Sequence, residues 1–261
     1  MNLRDHIVGL DCLVPLLDGR LAPYVNLDNA ASTPALRQVM DAVTQFMPYY
    51  SSVHRGTGFK SRLSTVAYDQ AHEIIGRFVG ADLATNTVIF GKNSTEALNK
   101  LSFRFPFTPD SVVITTQLEH HSNDLPWRQR ANVRYVRAGV DGRFDEDHFD
   151  QLLHEYAGRV ALVAVTGASN VSGFLQPIHR LARKAHAAGA MILVDAAQLA
   201  PHRRVDMRPD DDPEHLDFVV LSGHKMYAPF GAGALIGPKA IFLHSPPDYV
   251  GGGTVDVVTL D

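Results

Sequence analysis

Six short apolar runs recur along the chain and read as buried strands: Val88-Ile-Phe, Val112-Val-Ile-Thr, Val133-Arg-Tyr-Val, Val160-Ala-Leu-Val-Ala-Val, Ala190-Met-Ile-Leu-Val and Leu216-Asp-Phe-Val-Val-Leu. Around them, apolar residues repeat at helical spacing. Residues 35–48, after Thr33-Pro34, and residues 62–79, through Leu63, Val66, Ile74, Ile75 and Phe78, predict two helices. Further helices are expected near 94–104, 122–131, 144–156 and 177–189, the last two opening at Phe144-Asp-Glu-Asp and Pro177-Ile-His. Strands alternating with helices predict an α/β fold with a largely parallel sheet. No internal repeat or low-complexity segment interrupts the pattern.

Composition narrows the picture. A chain of 261 residues can bury a large core, and 45% hydrophobic with 20% charged residues is ordinary for a soluble globular protein. The formal charge of -4 argues against a nucleic-acid surface, and no apolar run approaches the roughly 20 residues of a membrane helix. Met1-Asn-Leu-Arg-Asp-His lacks the basic-then-apolar pattern of a secretory signal, so a cytoplasmic protein is expected. Cys12, the single cysteine, excludes an intramolecular disulfide, and its apolar neighbours predict a packing role. Thirteen histidines are scattered without the paired spacing of a zinc site, so no metal is expected. Arg208-Pro-Asp-Asp-Asp-Pro reads as a charged surface loop.

Chemistry concentrates where strands end. Asp195 follows the run ending at Val194, and Lys225 follows the run ending at Leu221, in Leu221-Ser-Gly-His-Lys-Met-Tyr. The carboxyl ends of strands in one α/β sheet are where such sheets bind ligands. A lysine amine that condenses with an aldehyde, with an acid to keep a pyridine nitrogen protonated, is what pyridoxal phosphate chemistry needs. Asp195 is costly to bury without a charged partner; it either meets a pyridinium or caps the strand end. Lys225 is either a reactive amine, partly neutralised by burial beside Tyr227 and Pro229, or an exposed loop lysine. Gly91-Lys-Asn-Ser-Thr-Glu opens a helix, so Ser94 and Thr95 belong to an anion site or to a plain N-cap. His120, in Glu119-His-His-Ser-Asn, either lies on an aromatic ring or donates to a nearby carbonyl.

Eight ordered segments together carry a resemblance: Tyr24-Val-Asn-Leu-Asp-Asn-Ala-Ala-Ser-Thr-Pro, Val53-His-Arg-Gly, Gly91-Lys-Asn-Ser-Thr-Glu-Ala-Leu-Asn, Glu119-His-His-Ser-Asn with Pro126-Trp127, Ser169-Asn-Val-Ser-Gly, Val194-Asp-Ala-Ala-Gln, Ser222-Gly-His-Lys and Gly251-Gly-Gly-Thr. The chain resembles class V aminotransferase-fold enzymes, and most of all the cysteine desulfurase and selenocysteine lyase branch. The resemblance implies a three-layer sandwich with a mostly parallel sheet, the large domain of a pyridoxal-phosphate-dependent transferase. Residues 1–34 would be an N-terminal segment and 35–261 an incomplete large domain, with the small C-terminal domain missing. It also implies an internal aldimine on Lys225, pairing of Asp195 with the pyridine nitrogen and stacking of His120 on the ring. Gln198 and Asn170 would lie near the phenolic oxygen and the substrate carboxylate. Ser94, Thr95, Ser222 and His224 would hold the phosphate, and Thr254 would cap the phosphate of a partner in a homodimer. Asn29, Ala30, His54 and Arg55 would flank the substrate.

The pattern breaks at one point. Cysteine desulfurases take sulfur on a cysteine that follows the lysine, and this chain has no cysteine after Lys225. The chain is then either a fragment of a longer protein or a shortened relative; a fragment is expected, since ending soon after Gly251-Gly-Gly-Thr leaves a loop unsupported and apolar surface uncovered. An amino-acid substrate and a sulfur-acceptor protein are the expected partners. The alternatives are an aminotransferase, epimerase or other lyase on the same scaffold, or an inert cofactor-binding or dimerisation module.

Overall fold

A computed structural model describes residues 2–243 and 247–249. The chain opens with an antiparallel hairpin, β1 (Leu13–Pro15) and β2 (Leu21–Pro23), then α1 (Arg37–Phe46) and the 20-residue α2 (Phe59–Phe78). There follow β3 (Asn86–Gly91), α3 (Ser94–Arg104), β4 (Val112–Thr116), α4 (Leu125–Arg128), β5 (Asn132–Val136), α5 (Glu146–Glu155), β6 (Val160–Thr166), α6 (Ile178–Ala187), β7 (Met191–Asp195), β8 (Phe218–Ser222), β9 (Gly233–Pro238) and α7 (Lys239–Leu243).

Seven strands form one sheet in the order β3-β9-β8-β7-β6-β4-β5. β9 runs antiparallel to both β3 and β8, and every other pairing is parallel. Alternate residues feed two cores. Val112, Ile114, Val163, Ile192, Val194 and Val219 face one core, with Phe149 of α5 and Leu181 of α6. Val113, Leu162, Leu193, Phe218 and Val220 face the other, with Leu98 and Leu101 of α3 and Trp127 of α4. A sheet covered on both sides has central strands that are apolar at consecutive positions, which is why the runs of β4, β6, β7 and β8 are legible without alternation. The three-layer α/β architecture is as the sequence predicts.

Three local features depart from the sequence reading. The helix expected over 122–131 shrinks to a 3-10 turn at His121–Asn123 and the single turn of α4. Pro126 lacks an amide hydrogen and is tolerated only in a first turn, so a helix cannot run through it from residue 122. Trp127 is fully buried there, its Nε1–H donating to the carbonyl of Asn123 at 2.9 Å. β9 has no counterpart among the apolar runs: Gly233-Ala-Leu-Ile-Gly is short and glycine-flanked, yet it inserts between β3 and β8. Cys12 is exposed rather than packed.

Candidate active site

The carboxyl ends of β3, β4, β6, β7 and β8 surround a cavity of about 470 Å³. Its lining includes Ser94, Thr95, His120, Asn170, Asp195, Gln198, Ser222, His224 and Lys225, and also Ala30. Residues from separate motifs therefore share one space. Asn29 is exposed and hydrogen-bonded to Asn26 beside it. His54 and Arg55 are not in the cavity wall; His54, at φ 54, is exposed and pairs with Asp69 at 3.0 Å. Thr254 lies outside the described residues, as does the Gly251-Gly-Gly-Thr segment.

Each polar group is aimed by its local structure. Asn93 is the N-cap of α3: its side chain accepts from the amide of Glu96 at 2.9 Å, while Glu96 Oε2 accepts from the amide of Lys92 at 2.7 Å. This reciprocal cap leaves the first turn, with Ser94 and Thr95, facing the cavity with the positive end of the helix dipole. Ser222 is 1% exposed and its hydroxyl has no hydrogen-bond partner among the described residues. A buried hydroxyl in a cavity wall is costly unless a ligand completes it. Gln198 donates to the carbonyl of Ala30 at 2.8 Å, fixing its amide at the rim. His120 accepts at Nδ1 from the amide of Ser122 at 3.2 Å, which leaves Nε2 as the protonated nitrogen.

The electrostatics favour a cation beside one carboxylate. Asp195 is buried, and burial raises its pKa against the lowering influence of the Ala197 amide, which donates at 3.0 Å, and of Lys225 and His120. Lys225 is half-buried, and burial lowers its pKa, while Asp195 and Asp28 act the other way. His224 is lowered by burial and by the Lys225 charge.

A second acid carries no signal of its own in the sequence. Glu119 lies within a motif whose histidine draws the attention, yet burial pushes its pKa up to about 8. Thr116 Oγ1 and Asn123 Nδ2 donate to its two oxygens, each at 2.6 Å. Asp28, Asn93, Ser122 and Thr166 are further cavity residues that sequence reasoning misses, because each looks like ordinary turn or strand-end chemistry in one dimension.

Pyridoxal phosphate fits these residues on three observations: an unpartnered buried hydroxyl beside a helix N-terminus, a buried carboxyl without a full cationic partner, and an amine of lowered pKa.

The family model described as "Aminotransferase class-V" matches residues 25–261. A cysteine desulfurase of Haloferax volcanii is 37% identical over 269 aligned positions, covering 99% of this chain and 62% of the relative. The apo structure of a cysteine desulfurase from Thermococcus onnurineus superposes with a TM-score of 0.82 at 29% identity, covering 99% of this chain and 62% of that one. The Escherichia coli cysteine desulfurase CsdA, in its S-sulfonic acid form, gives 0.74 at 29% identity, with 90% and 59% covered. The chain thus spans about three-fifths of the length of these relatives.

Proposed function

The chain belongs to the class-V aminotransferase family, and from that premise we propose that it forms the cofactor-binding part of a pyridoxal-phosphate-dependent enzyme of the cysteine desulfurase type. The observation that carries this reading is the placement of Lys225 and Asp195 in the wall of one cavity, each with a pKa moved toward its neutral form. When bound, pyridoxal phosphate supplies an aldehyde that condenses with amines and a ring that draws electrons from the substrate α-carbon.

Lys225 Nζ would attach the cofactor and hold or move the proton at the substrate α-carbon, with burial lowering its pKa toward the neutral amine that both roles need. Asp195 would face the ring nitrogen and keep it protonated, the cationic partner that its buried carboxyl lacks. Ser94, Thr95, Ser222 and His224 would hold the phosphate at the N-terminus of α3, since all four line the cavity there. His120 would stack on the ring, and Asn170 and Gln198 would orient the polar groups of ring and substrate. The amino-acid substrate is L-cysteine, and a sulfur-acceptor protein receives the product sulfur. Cys12 lies outside the cavity wall, so sulfur acceptance is assigned to a thiol other than those of this chain. The enzyme works as a homodimer.

The test is a visible absorbance spectrum with added pyridoxal phosphate, before and after borohydride, for the native chain and Lys225→Ala. A cofactor band that borohydride fixes to the native chain alone supports the reading. No band with either protein, or a band fixed equally in Lys225→Ala, sinks it.

A further inference from the structure

At the end of the sheet opposite the cavity, where β7 and β8 begin, His186, His215 and Asp217 bring one ligand-type atom each to within 4.8 Å of one another. His186 closes the last turn of α6, and Asp217 immediately precedes β8. The two imidazole rings stack with centroids 4.2 Å apart at 21°. Nδ1 of His186 is 2.9 Å from the carbonyl oxygen of Pro213, and Nδ1 of His215 is 2.7 Å from that of Asp212. A carbonyl oxygen only accepts, so both Nδ1 atoms carry hydrogen. Both Nε2 atoms then face Asp217: His186 at 2.9 Å from Oδ2 and His215 at 3.4 Å from Oδ1. The carboxylate is itself fixed, because the amide of Ile192 donates to Oδ2 at 2.8 Å and the side chain is 8% exposed.

We propose that His186, His215 and Asp217 form a binding site for a zinc-class divalent cation, separate from the active-site cavity. One ligand-type atom from each of the three residues lies within 4.8 Å of the others, so a single cation can sit among them. Two imidazoles and one carboxylate suit zinc and its neighbours, and bonds of about 2.0–2.2 Å to a tetrahedral ion set ligand atoms roughly 3.3 Å apart. His186 Nε2 and His215 Nε2 lie 2.9 and 3.4 Å from different oxygens of Asp217, and one ligand atom from each residue falls within 4.8 Å of the others, so the set reaches that spacing by a small inward shift. Backbone carbonyls on both Nδ1–H groups are the contacts that orient metal-bound histidines. Water takes the fourth position. The ion ties the end of α6 to the start of β8, so its role is to brace the fold; 29 residues separate His186 from His215, too far for any paired spacing in the sequence.

The test is calorimetric titration of Zn²⁺ into the chelator-stripped, tag-free chain, paired with thermal melts. One ion per chain is expected, with a melting midpoint raised by a few degrees at saturating zinc. Co²⁺ in its place gives the visible absorption of a tetrahedral ligand field. Affinity falls at least about tenfold in His215→Ala and in Asp217→Asn, the latter keeping an acceptor for the Ile192 amide. His154→Ala, at an exposed position on α5, leaves binding unchanged. Failure of the native chain to bind one Zn²⁺, or binding that persists undiminished in both ligand variants, overturns the site.

Discussion

The hydroxyl of Thr33 donates to the carbonyl oxygen of His224 at 3.1 Å and accepts from the amide of Tyr227 at 2.8 Å. The backbone amide of Thr33 donates to the same His224 carbonyl at 3.0 Å. One residue of the N-terminal segment thus grips the loop on both sides of Lys225, about 190 positions away in sequence. The grip holds a turn that needs holding, since Tyr227 sits at φ 62, in the left-handed region that disfavours side chains.

Replacing Thr33 by Val keeps the shape and removes both side-chain bonds, leaving the Tyr227 amide unpaired. A loss of about 0.5–1.5 kcal/mol in unfolding free energy is expected, because water reaches the exposed Tyr227 amide, with slower borohydride-fixable attachment of pyridoxal phosphate at Lys225. Thr33→Ser should restore both. Denaturant melts and the absorbance assay check this; equal behaviour of the Val and Ser variants removes the hydroxyl from the account.

Asp195→Asn should separate stability from function. Without cofactor the buried carboxyl is pushed toward its neutral form, whereas an amide keeps the bond from the Ala197 N–H without the desolvation cost. The cofactor-free chain should gain ~1 kcal/mol near pH 7, while affinity for pyridoxal phosphate drops at least about tenfold because the ring nitrogen loses its counter-charge. A variant that loses stability and keeps its cofactor affinity contradicts both halves.

Glu119 should leave a pH signature. Its carboxyl titrates at about 8 when folded against 4.5 as an ordinary glutamate, so the folded chain holds the proton more tightly. Its stabilising contribution is complete below pH 4.5 and is lost as pH rises through 8, amounting to at most about 5 kcal/mol. Urea melts across pH 5–9 should show this slope in the native chain and a flatter one in Glu119→Gln. Parallel slopes would remove Glu119 as its source.

Gly233→Ala probes the cavity through the sheet. A Cβ at this position of β9 meets the backbone Cα and C of Asn93 at 2.6 Å, and that backbone cannot yield as a side chain would. Overpacking of about 1–3 kcal/mol is expected, together with displacement of the Asn93–Thr95 turn and weaker binding of pyridoxal phosphate. Calorimetric melting and a cofactor titration measure the two effects; an unchanged chain by both would show that β9 and the turn are less tightly packed than the geometry implies.

Much of this molecule is determined locally. Strands covered on both faces must be apolar at consecutive positions, so β4, β6, β7 and β8 are legible from their runs. Chemistry belongs at the strand ends, so Asp195, Ser222 and Lys225 stand out in the sequence by position alone. Proline at 126 also forbids the longer helix, a signal present in the sequence but outweighed there by its apolar spacing. What tertiary structure alone decided is whatever depends on distant partners. Strand order is one such property: β9 has too little local pattern to announce itself, and only pairing with β3 and β8 makes it a strand. The raised pKa of Glu119 comes from burial, to which a motif letter is blind. His54 and Arg55 sit away from the cavity wall, although their motif lies between others that reach it. His186 meets His215 and Asp217 because α6 ends where β8 begins, a coincidence of folded elements that no residue spacing along the chain encodes.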